Sequence, residues 1–243
     1  MVRTVSIIVP AFNEELLLEE NLRQIKVACS AFSGRGWDTE LIVCDNNSTD
    51  RTAELARAAG ARVVFEPVNQ IARARNSGAA SASGDWLVFV DADSRPSLDL
   101  LEEVGEQIEA GRCLAGGCTL KLEGHYPKAN LITALWNGLS RVGKLVAGSF
   151  IFCEAAAFRE AGGFSQELFA GEEIDLILRL KRLARAKGKC IVILHRHPLL
   201  TSARKMRLYT LREHLRFMAK VLVSRRSVLS SRADCHTWYD GRR

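Results

Sequence analysis

The 243-residue sequence lacks several features that would place it in a specialised class of protein. No apolar stretch reaches the roughly 18–20 residues that a membrane-spanning helix needs. The seven cysteines are an odd number with no C-x-x-C pair, which argues against a disulfide framework or a thiolate zinc site. The apolar run at the N-terminus is too short for a secretory signal peptide. We therefore expect a cytoplasmic protein that folds around its own hydrophobic core.

The two common phosphate-binding loops are also absent. The chain has no G-x-G-x-x-G segment and no G-x-x-x-x-G-K-[ST] segment, so it carries neither the dinucleotide fingerprint nor the P-loop. If a nucleotide binds here, its phosphates must be neutralised by something other than a glycine-rich loop.

The net charge of +6 hides an asymmetry along the chain. Residues 1–178 hold 16 Lys and Arg against 25 Asp and Glu, whereas residues 179–243 hold 18 against 3. The acidic part is suited to cations. The basic part is suited to a solvated surface, to the anionic inner face of a membrane or to nucleic acid. Because no nucleic-acid motif accompanies the charge, we do not expect nucleic acid as a partner.

Apolar runs alternate with helical spacing in the first part of the chain. We predict strands at 5–10, 41–45, 63–65 and 86–91, with helices at 14–32, 50–60 and 70–82 between them. Further helices are predicted at 98–110, 130–142, 172–187 and 208–223, and strands at 113–122, 149–154 and 190–194. Short connections between strands and helices predict an α/β fold with a mostly parallel central sheet flanked by helices. The predicted single domain covers 1–224, and 225–243 forms a basic tail.

Polar clusters follow three of these strands. In an open parallel sheet, ligands bind outside the carboxyl ends of the strands. The three clusters are therefore expected to share one rim of the sheet: Pro10, Ala11, Phe12, Asn13 and Glu14; Asp45 and Asn46; Asp91, Ala92 and Asp93.

The segment Asp91-Ala92-Asp93 is a candidate metal site. Mg²⁺ or Mn²⁺ is typically held by one or two protein carboxylates together with substrate phosphate oxygens. The alternative is that Asp91 merely ends the strand and Asp93 caps the helix that begins near Leu98. Its position directly after the apolar run WLVFV favours the metal site.

The turn at residues 10–14 and three further residues, Asp45, Asn46 and Arg75, are candidates for nucleoside contact. Asp45 and Asn46 can hydrogen-bond a base edge or a ribose, while the following residues 48–50 cap the next helix. Arg75 lies in an Ala/Gly/Ser-rich helix, which suggests close approach to an anion; the alternative is a surface salt bridge.

These motifs together resemble a family 2 glycosyltransferase of the GT-A fold. The resemblance rests on PAFNE, DNNSTD, ARNSGAASASGD and FVDADSRP, in this order, and then on AGSFIFCEAAAFREAGGF, FAGEEIDLILRL and TSARK. It covers roughly residues 5–210. It implies a nucleotide-binding half, 1–97, and an acceptor-binding half, 98–224. The processive Q-x-x-R-W signature is absent, which implies transfer of single sugars.

The resemblance implies transfer of a sugar from a nucleotide diphosphate, UDP or GDP, to an acceptor hydroxyl with inversion. Mn²⁺ or Mg²⁺ would assist the leaving group, and a carboxylate would take the proton of the acceptor. Glu173 matches the usual base by motif position. Glu172 is the close alternative, and Asp175 completes the acidic cluster. Without a ligand role, these acids would simply complement the dipole of their helix.

Three downstream residues complete the candidate site. Arg204 and Lys205 are expected to clamp the diphosphate. His197 is a candidate additional metal ligand, with an ordinary polar residue at a strand end as the alternative. Two alternatives to a transferase stay open: a non-catalytic module that binds a nucleotide sugar or a membrane surface, and a sugar nucleotidyltransferase, which the acidic PAFNEE turn disfavours.

Overall fold

The computed structural model describes residues 3–124 and 126–202. Several features predicted from the sequence lie outside these residues: the helix 208–223, the tail 225–243, the domain boundary at 224, and Arg204 and Lys205. The membrane contact expected of the basic C-terminal region therefore stays a prediction. Within the described residues, no helix is both long and apolar enough to span a membrane.

Eight helices and eight strands make up the described part of the chain. In chain order they are β1 (Thr4–Ala11), α1 (Leu18–Ala28), α2 (Ser30–Ser33), β2 (Asp38–Asp45), α3 (Thr52–Ala58), β3 (Arg62–Phe65), α4 (Ile71–Ala80), β4 (Trp86–Val90), β5 (Ser94–Arg95), α5 (Leu98–Ala110), β6 (Cys113–Leu122), α6 (Pro127–Gly143), β7 (Phe150–Glu154), α7 (Ala155–Glu160), α8 (Glu172–Ala186) and β8 (Cys190–Thr201).

The strands form one mixed sheet in the order β3-β2-β1-β4-β7-β6-β8-β5. The strands of the first half, β1 to β4, pair in parallel, as predicted. β7 then joins β4 and β6 antiparallel, and β8 runs parallel to β6. The α/β prediction is confirmed, and the parallel character belongs mainly to the first half.

Both faces of the sheet are covered by helices, because alternate side chains of its strands point to opposite faces. Val5, Ile7 and Val9 of β1 belong to the core on the side of α1 and α5. Ile8 belongs to the core on the other side, with residues of α4, α7 and α8. Gly78 of α4 is needed there, since a Cβ at that position would lie 2.5 Å from Cγ2 of Ile8.

Two predicted elements differ from the structure. The helix expected over 14–32 begins only at Leu18 and ends at Ala28, with a separate turn of helix at Ser30–Ser33. The last strand, expected to end at 194, continues to Thr201 because residues 199–201 pair with the end of β6.

Candidate active site

The order of the strands brings the predicted polar clusters to one rim of the sheet. β2, β1 and β4 are neighbours and run in the same direction, so their carboxyl ends lie side by side. A cavity of about 230 Å³ opens beside the end of β4; we call it the site cavity. Its walls come from α4, the turn after β4, the loop before β7, the start of α8 and the end of β8, and they include Arg75, Asp91, Asp93, Ser149, Glu172 and Glu173.

Arg75 is at the centre of the site, where it contacts two acids and a carbonyl of the chain itself. The side chain is buried, and its Nη1 donates to Oε1 of Glu172 at 2.7 Å. Its Nη2 donates to Oδ1 of Asp91 at 2.9 Å and to the carbonyl of Gly148 at 2.8 Å. The alternative of a surface salt bridge was wrong, because Arg75 is buried where the small residues around it bring α4 close to the sheet. Arg75 therefore fixes the two acids relative to each other.

Glu172 and Glu173 differ in their environments. Glu172 is buried in its ion pair with Arg75. Glu173 lines the site cavity, and burial together with the neighbouring charge of Glu172 raises its pKa to about 8. A carboxyl group with a pKa near neutrality is suited to exchange a proton at physiological pH.

Asp175 does not join the other two acids. Its carboxylate accepts hydrogen bonds from Arg179 at 2.6 Å and 3.0 Å, and it borders a different surface cavity. It lies two or three residues beyond the two glutamates, which turns it to another side of α8. The structure therefore gives no support to its predicted catalytic role.

Asp91 and Asp93 both line the site cavity. The turn that carries them is anchored by Asn21 of α1, whose Nδ2 donates to the carbonyl of Ala92 at 2.6 Å. The carbonyl of Asp93 accepts from the amide of Ser202 at 3.1 Å. Ala92 itself is buried and contributes its backbone only. The alternative in which Asp93 caps the next helix was wrong, because Ser97 caps α5 through the amide of Leu100.

The donor set fits a small hard cation. Asp91 and Asp93 offer carboxylate oxygens, and the enclosed hydroxyl of Ser149 has no hydrogen-bond partner among the described residues. Two carboxylates leave room for phosphate oxygens in an octahedral set. No group of three or more His, Cys, Asp or Glu that could hold a metal ion occurs in residues 3–124 and 126–202.

His197 is not brought to this site. Its Nδ1 lies 3.6 Å from Oδ2 of Asp99, at the start of α5, and it does not line the site cavity. The structure favours the alternative, a polar residue near a strand end.

The turns after β1 and β2 are joined by hydrogen bonds beside the site cavity. We call residues 10–14 together with Asp45 and Asn46 the polar lip. Asn13 adopts a positive φ of 52°; its amide donates to Oγ of Ser48 at 3.0 Å, and its Oδ1 accepts from the amide of Thr49 at 2.8 Å. The amide of Glu14 donates to Oγ1 of Thr52 at 2.8 Å. Pro10 and Ala11 are the last residues of β1, paired with β2, and Phe12 leads into the turn.

Asp45 and Asn46 help to hold this lip together. Oδ1 of Asp45 accepts from the amide of Ser48 at 3.0 Å, and Oδ1 of Asn46 accepts from the amide of Gln70 at 3.1 Å. Both side chains are buried, and neither lines the site cavity. Of the residues predicted to cap the next helix, Asp50 accepts from the amide of Thr52 at 2.9 Å at the start of α3, whereas Oγ of Ser48 accepts from the amide of Asn13.

Sequence reasoning missed Asn21, Gly148 and Ser149. Asn21 could have been found as a polar residue on the apolar face of α1, between Leu18 and Leu22. Gly148 brings its carbonyl to Arg75, and a Cβ there would lie 3.1 Å from Nη2 of Arg75. No spacing rule in the sequence connects it to that arginine.

The sheet order, the turn with two aspartates and the helix that opens with two glutamates define a nucleotide-diphospho-sugar transferase fold of the GT-A type. The sequence model described as Glycosyl transferase family 2 matches residues 6–157, more than half of the chain. The chain belongs to this glycosyltransferase family.

Solved structures share the fold. A mannosyltransferase from Pyrobaculum calidifontis, determined with GDP-Man and Mn²⁺, has a TM-score of 0.66 at 19% identity, covering 95% of this chain and 63% of that chain. Glucosyl-3-phosphoglycerate synthase from Mycobacterium tuberculosis, determined with Mn²⁺, UDP and glucosyl-3-phosphoglycerate, has a TM-score of 0.63 at 22% identity, covering 96% and 80%.

A dolichol-phosphate mannosyltransferase from Pyrococcus furiosus is 33% identical over 121 residues. That match covers 46% of this chain and 32% of the mannosyltransferase. The chain therefore spans about a third of the length of that curated relative.

The raised pKa of Glu173 predicts a pH-dependent cost in stability. The folded protein holds the proton of Glu173 up to about pH 8, whereas the unfolded chain releases it near its ordinary value of 4.5. The stabilisation from Glu173 is therefore complete below about pH 4.5 and is lost as the pH rises through 8. Relative to Glu173→Gln, the wild type should lose about 1–3 kcal/mol between pH 5 and pH 9, after allowance for partial exposure.

Denaturant unfolding of both proteins at several pH values measures this difference. Asp175→Asn is the matched control and should run parallel to the wild type. A constant difference between the wild type and Glu173→Gln would contradict the assignment of the raised pKa to this residue.

Proposed function

We propose that the protein transfers a single sugar from a nucleotide diphosphate to an acceptor hydroxyl, with inversion at the anomeric carbon. The observation that carries the proposal is the presence of Glu173, with its raised pKa, in the same cavity as Asp91 and Asp93. Glu173 is suited to take a proton, and Asp91 and Asp93 are suited to lie against a diphosphate.

In the proposed reaction, the acceptor oxygen attacks the anomeric carbon while the bond from that carbon to the diphosphate oxygen breaks. The hydroxyl proton passes to Glu173, and the nucleoside diphosphate leaves with the electron pair. Asp93 and Asp91 would hold Mn²⁺ or Mg²⁺, with Asp93 proposed as the direct ligand and Asp91 also bonded to Arg75. A bound divalent cation would supply Lewis-acid stabilisation of the leaving diphosphate.

The polar lip, Pro10–Glu14 with Asp45 and Asn46, is proposed to border the nucleoside. A UDP- or GDP-sugar is the proposed donor, in line with the GDP-Man and UDP of the two structures of similar fold. Arg204 and Lys205 are proposed to close on the diphosphate. We place the reaction in the cytoplasm, with the inner face of a membrane as an alternative site.

Thermal unfolding with donors tests the proposal. UDP-, GDP-, dTDP- and CDP-sugars are each added with Mn²⁺, with Mg²⁺ and with chelator. A ligand at 100 times its dissociation constant should stabilise the protein by about 2.7 kcal/mol. We expect stabilisation by one nucleotide class, lost with chelator and in Asp93→Asn.

Asp99→Asn is the matched control, since Asp99 lies outside the site cavity and should leave the effect unchanged. Stabilisation that persists with chelator and in Asp93→Asn would contradict the metal site. Stabilisation by donor without any sugar transfer to alcohol acceptors would favour the non-catalytic binding module.

A further inference from the structure

Helix α6 carries its apolar residues on the outside. With 3.6 residues per turn, five large side chains project within an arc of roughly 100°. Val142 is 88% exposed and Leu135 is 68% exposed. A surface helix normally turns such residues toward the core. We call these residues the outer face of α6: Leu131, Ile132, Leu135, Leu139 and Val142.

Polar contacts fix the helix in this orientation. Nδ2 of Asn137 donates to the carbonyl of Leu120 at 2.9 Å, and its Oδ1 accepts from the amide of Leu120 at 2.9 Å. Ser140, which is fully buried, donates its hydroxyl to the carbonyl of Leu145. Rotating the outer face inward would break these hydrogen bonds, so the apolar side is held toward the outside.

Positive charge surrounds the end of this helix. Residues 124–153 contain no Asp or Glu. A cavity of about 320 Å³ at the end of α6 is lined by Val142 and by Lys144, Lys181 and Arg185, which we call the cationic cavity. None of these three cations lies within ion-pair distance of an acid in the described part of the chain, whereas Lys189 at the same cavity pairs with Glu154.

The three cations also crowd one another. Nζ of Lys181 donates to the carbonyl of Gly143 at 2.6 Å. Burial and the positive charges of Arg185 and Lys144 lower the pKa of Lys181. Like charges held together without acids favour an anion from outside the chain.

We propose that the outer face of α6 and the cationic cavity form one docking surface for an anionic lipid bilayer. Apolar side chains would enter the boundary between headgroups and acyl chains, and the cations would lie against lipid phosphates. Val142 belongs to both parts and joins them. Charge complementarity favours a bilayer over a second copy of the chain, because both copies would bring the same positive charge.

The docking surface adjoins the candidate active site. Leu120, to which Asn137 is bonded, lines the site cavity, and so do Gly148 and Ser149, which follow α6 within six residues. A bilayer at α6 would therefore lie beside the site cavity. Bilayer binding is measured without sugar transfer, so its failure would leave the proposed function untouched.

Co-sedimentation of the full chain with vesicles tests the proposal. Vesicles of phosphatidylcholine alone are compared with vesicles that also contain phosphatidylglycerol. We expect the wild type to bind the anionic vesicles. The double variant Leu135→Glu with Leu139→Glu should lower this binding at least about tenfold, because two apolar side chains that would be buried in the bilayer are replaced by charged ones. Lys144→Gln with Lys181→Gln should remove most of the preference for phosphatidylglycerol.

Val27→Glu is the matched control, because Val27 is 57% exposed on α1, a different helix, and should bind as the wild type does. Thermal unfolding checks that every variant is folded.

The proposal is overturned if the wild type does not bind. It is also overturned if Arg225→Gln with Arg226→Gln and Arg232→Gln abolishes binding while the leucine pair has no effect. Light scattering that shows a dimer which the leucine pair dissociates, with no vesicle binding, would assign the outer face to a second copy.

Discussion

Replacing Glu173 by glutamine is expected to lower the turnover of sugar transfer by about 10²–10⁴-fold, the usual contribution of a general base. Glutamine keeps the size of the side chain and its place in the site cavity, but it cannot accept a proton. Donor binding should be retained, because the proposed donor contacts come from Asp91, Asp93 and the polar lip. Turnover is measured by release of nucleoside diphosphate, and donor binding by thermal unfolding.

The matched control is Asp175→Asn, which removes an acid two residues away on the same helix. Because Asp175 pairs with Arg179 outside the site cavity, its loss should change turnover little. In the wild type, kcat/KM should rise with pH and level off near the pKa of about 8, and Glu173→Gln should lack this inflection. Equal losses in both variants would count against Glu173 as the base.

Arg75→Met is expected to destabilise the fold by about 3–5 kcal/mol, the usual effect of removing one partner of a buried ion pair. The change leaves Glu172 and Asp91 without their shared cation in a buried site. The protein would respond by protonating one of these acids, so the loss should be largest at neutral pH and smaller in acid. Urea unfolding at pH 7 and pH 5 measures it.

Arg73→Met is the matched control on the same helix. Its side chain is 35% exposed and pairs with Glu66, which is buried but also accepts from the hydroxyl of Ser77 and the amide of Val68, so the cost should stay well below that of Arg75→Met. Arg75→Lys separates charge from geometry, because lysine keeps the charge but lacks the planar fork that binds both acids and the Gly148 carbonyl. Similar losses for Arg73→Met and Arg75→Met would refute the central position of Arg75.

The first half of the fold was predictable because its strands are buried on both faces. Such strands appear as continuous apolar runs, and WLVFV at β4 is one of them. β8 was predicted too short, since His195, Arg196 and His197 interrupt its apolar pattern. Its continuation depends on pairing with β6, which is a property of the folded sheet.

The candidate site was predictable where strand ends supply its residues, as at Asp91 and Asp93. The partners of Arg75 were not predictable, because Glu172 lies 97 residues further along the chain. The outward orientation of the apolar side of α6 was also not predictable from the sequence. Periodicity places apolar residues on one side of a helix, but only Asn137 and Ser140, bonded inward, show which side is the surface.

The Arg75 hydrogen bonds also have a consequence for the order in which the protein is made. A ribosome that has released the chain only as far as Asp93 has produced Arg75 and its first acid, Asp91. The other contacts, at Gly148 and Glu172, emerge later, 73 and 97 residues beyond Arg75. The early half can therefore form its parallel strands during synthesis while its arginine is only partly neutralised. The active site is then assembled only when the second half has been made. A truncated chain would carry Arg75, Asp91 and Asp93 without an assembled catalytic centre.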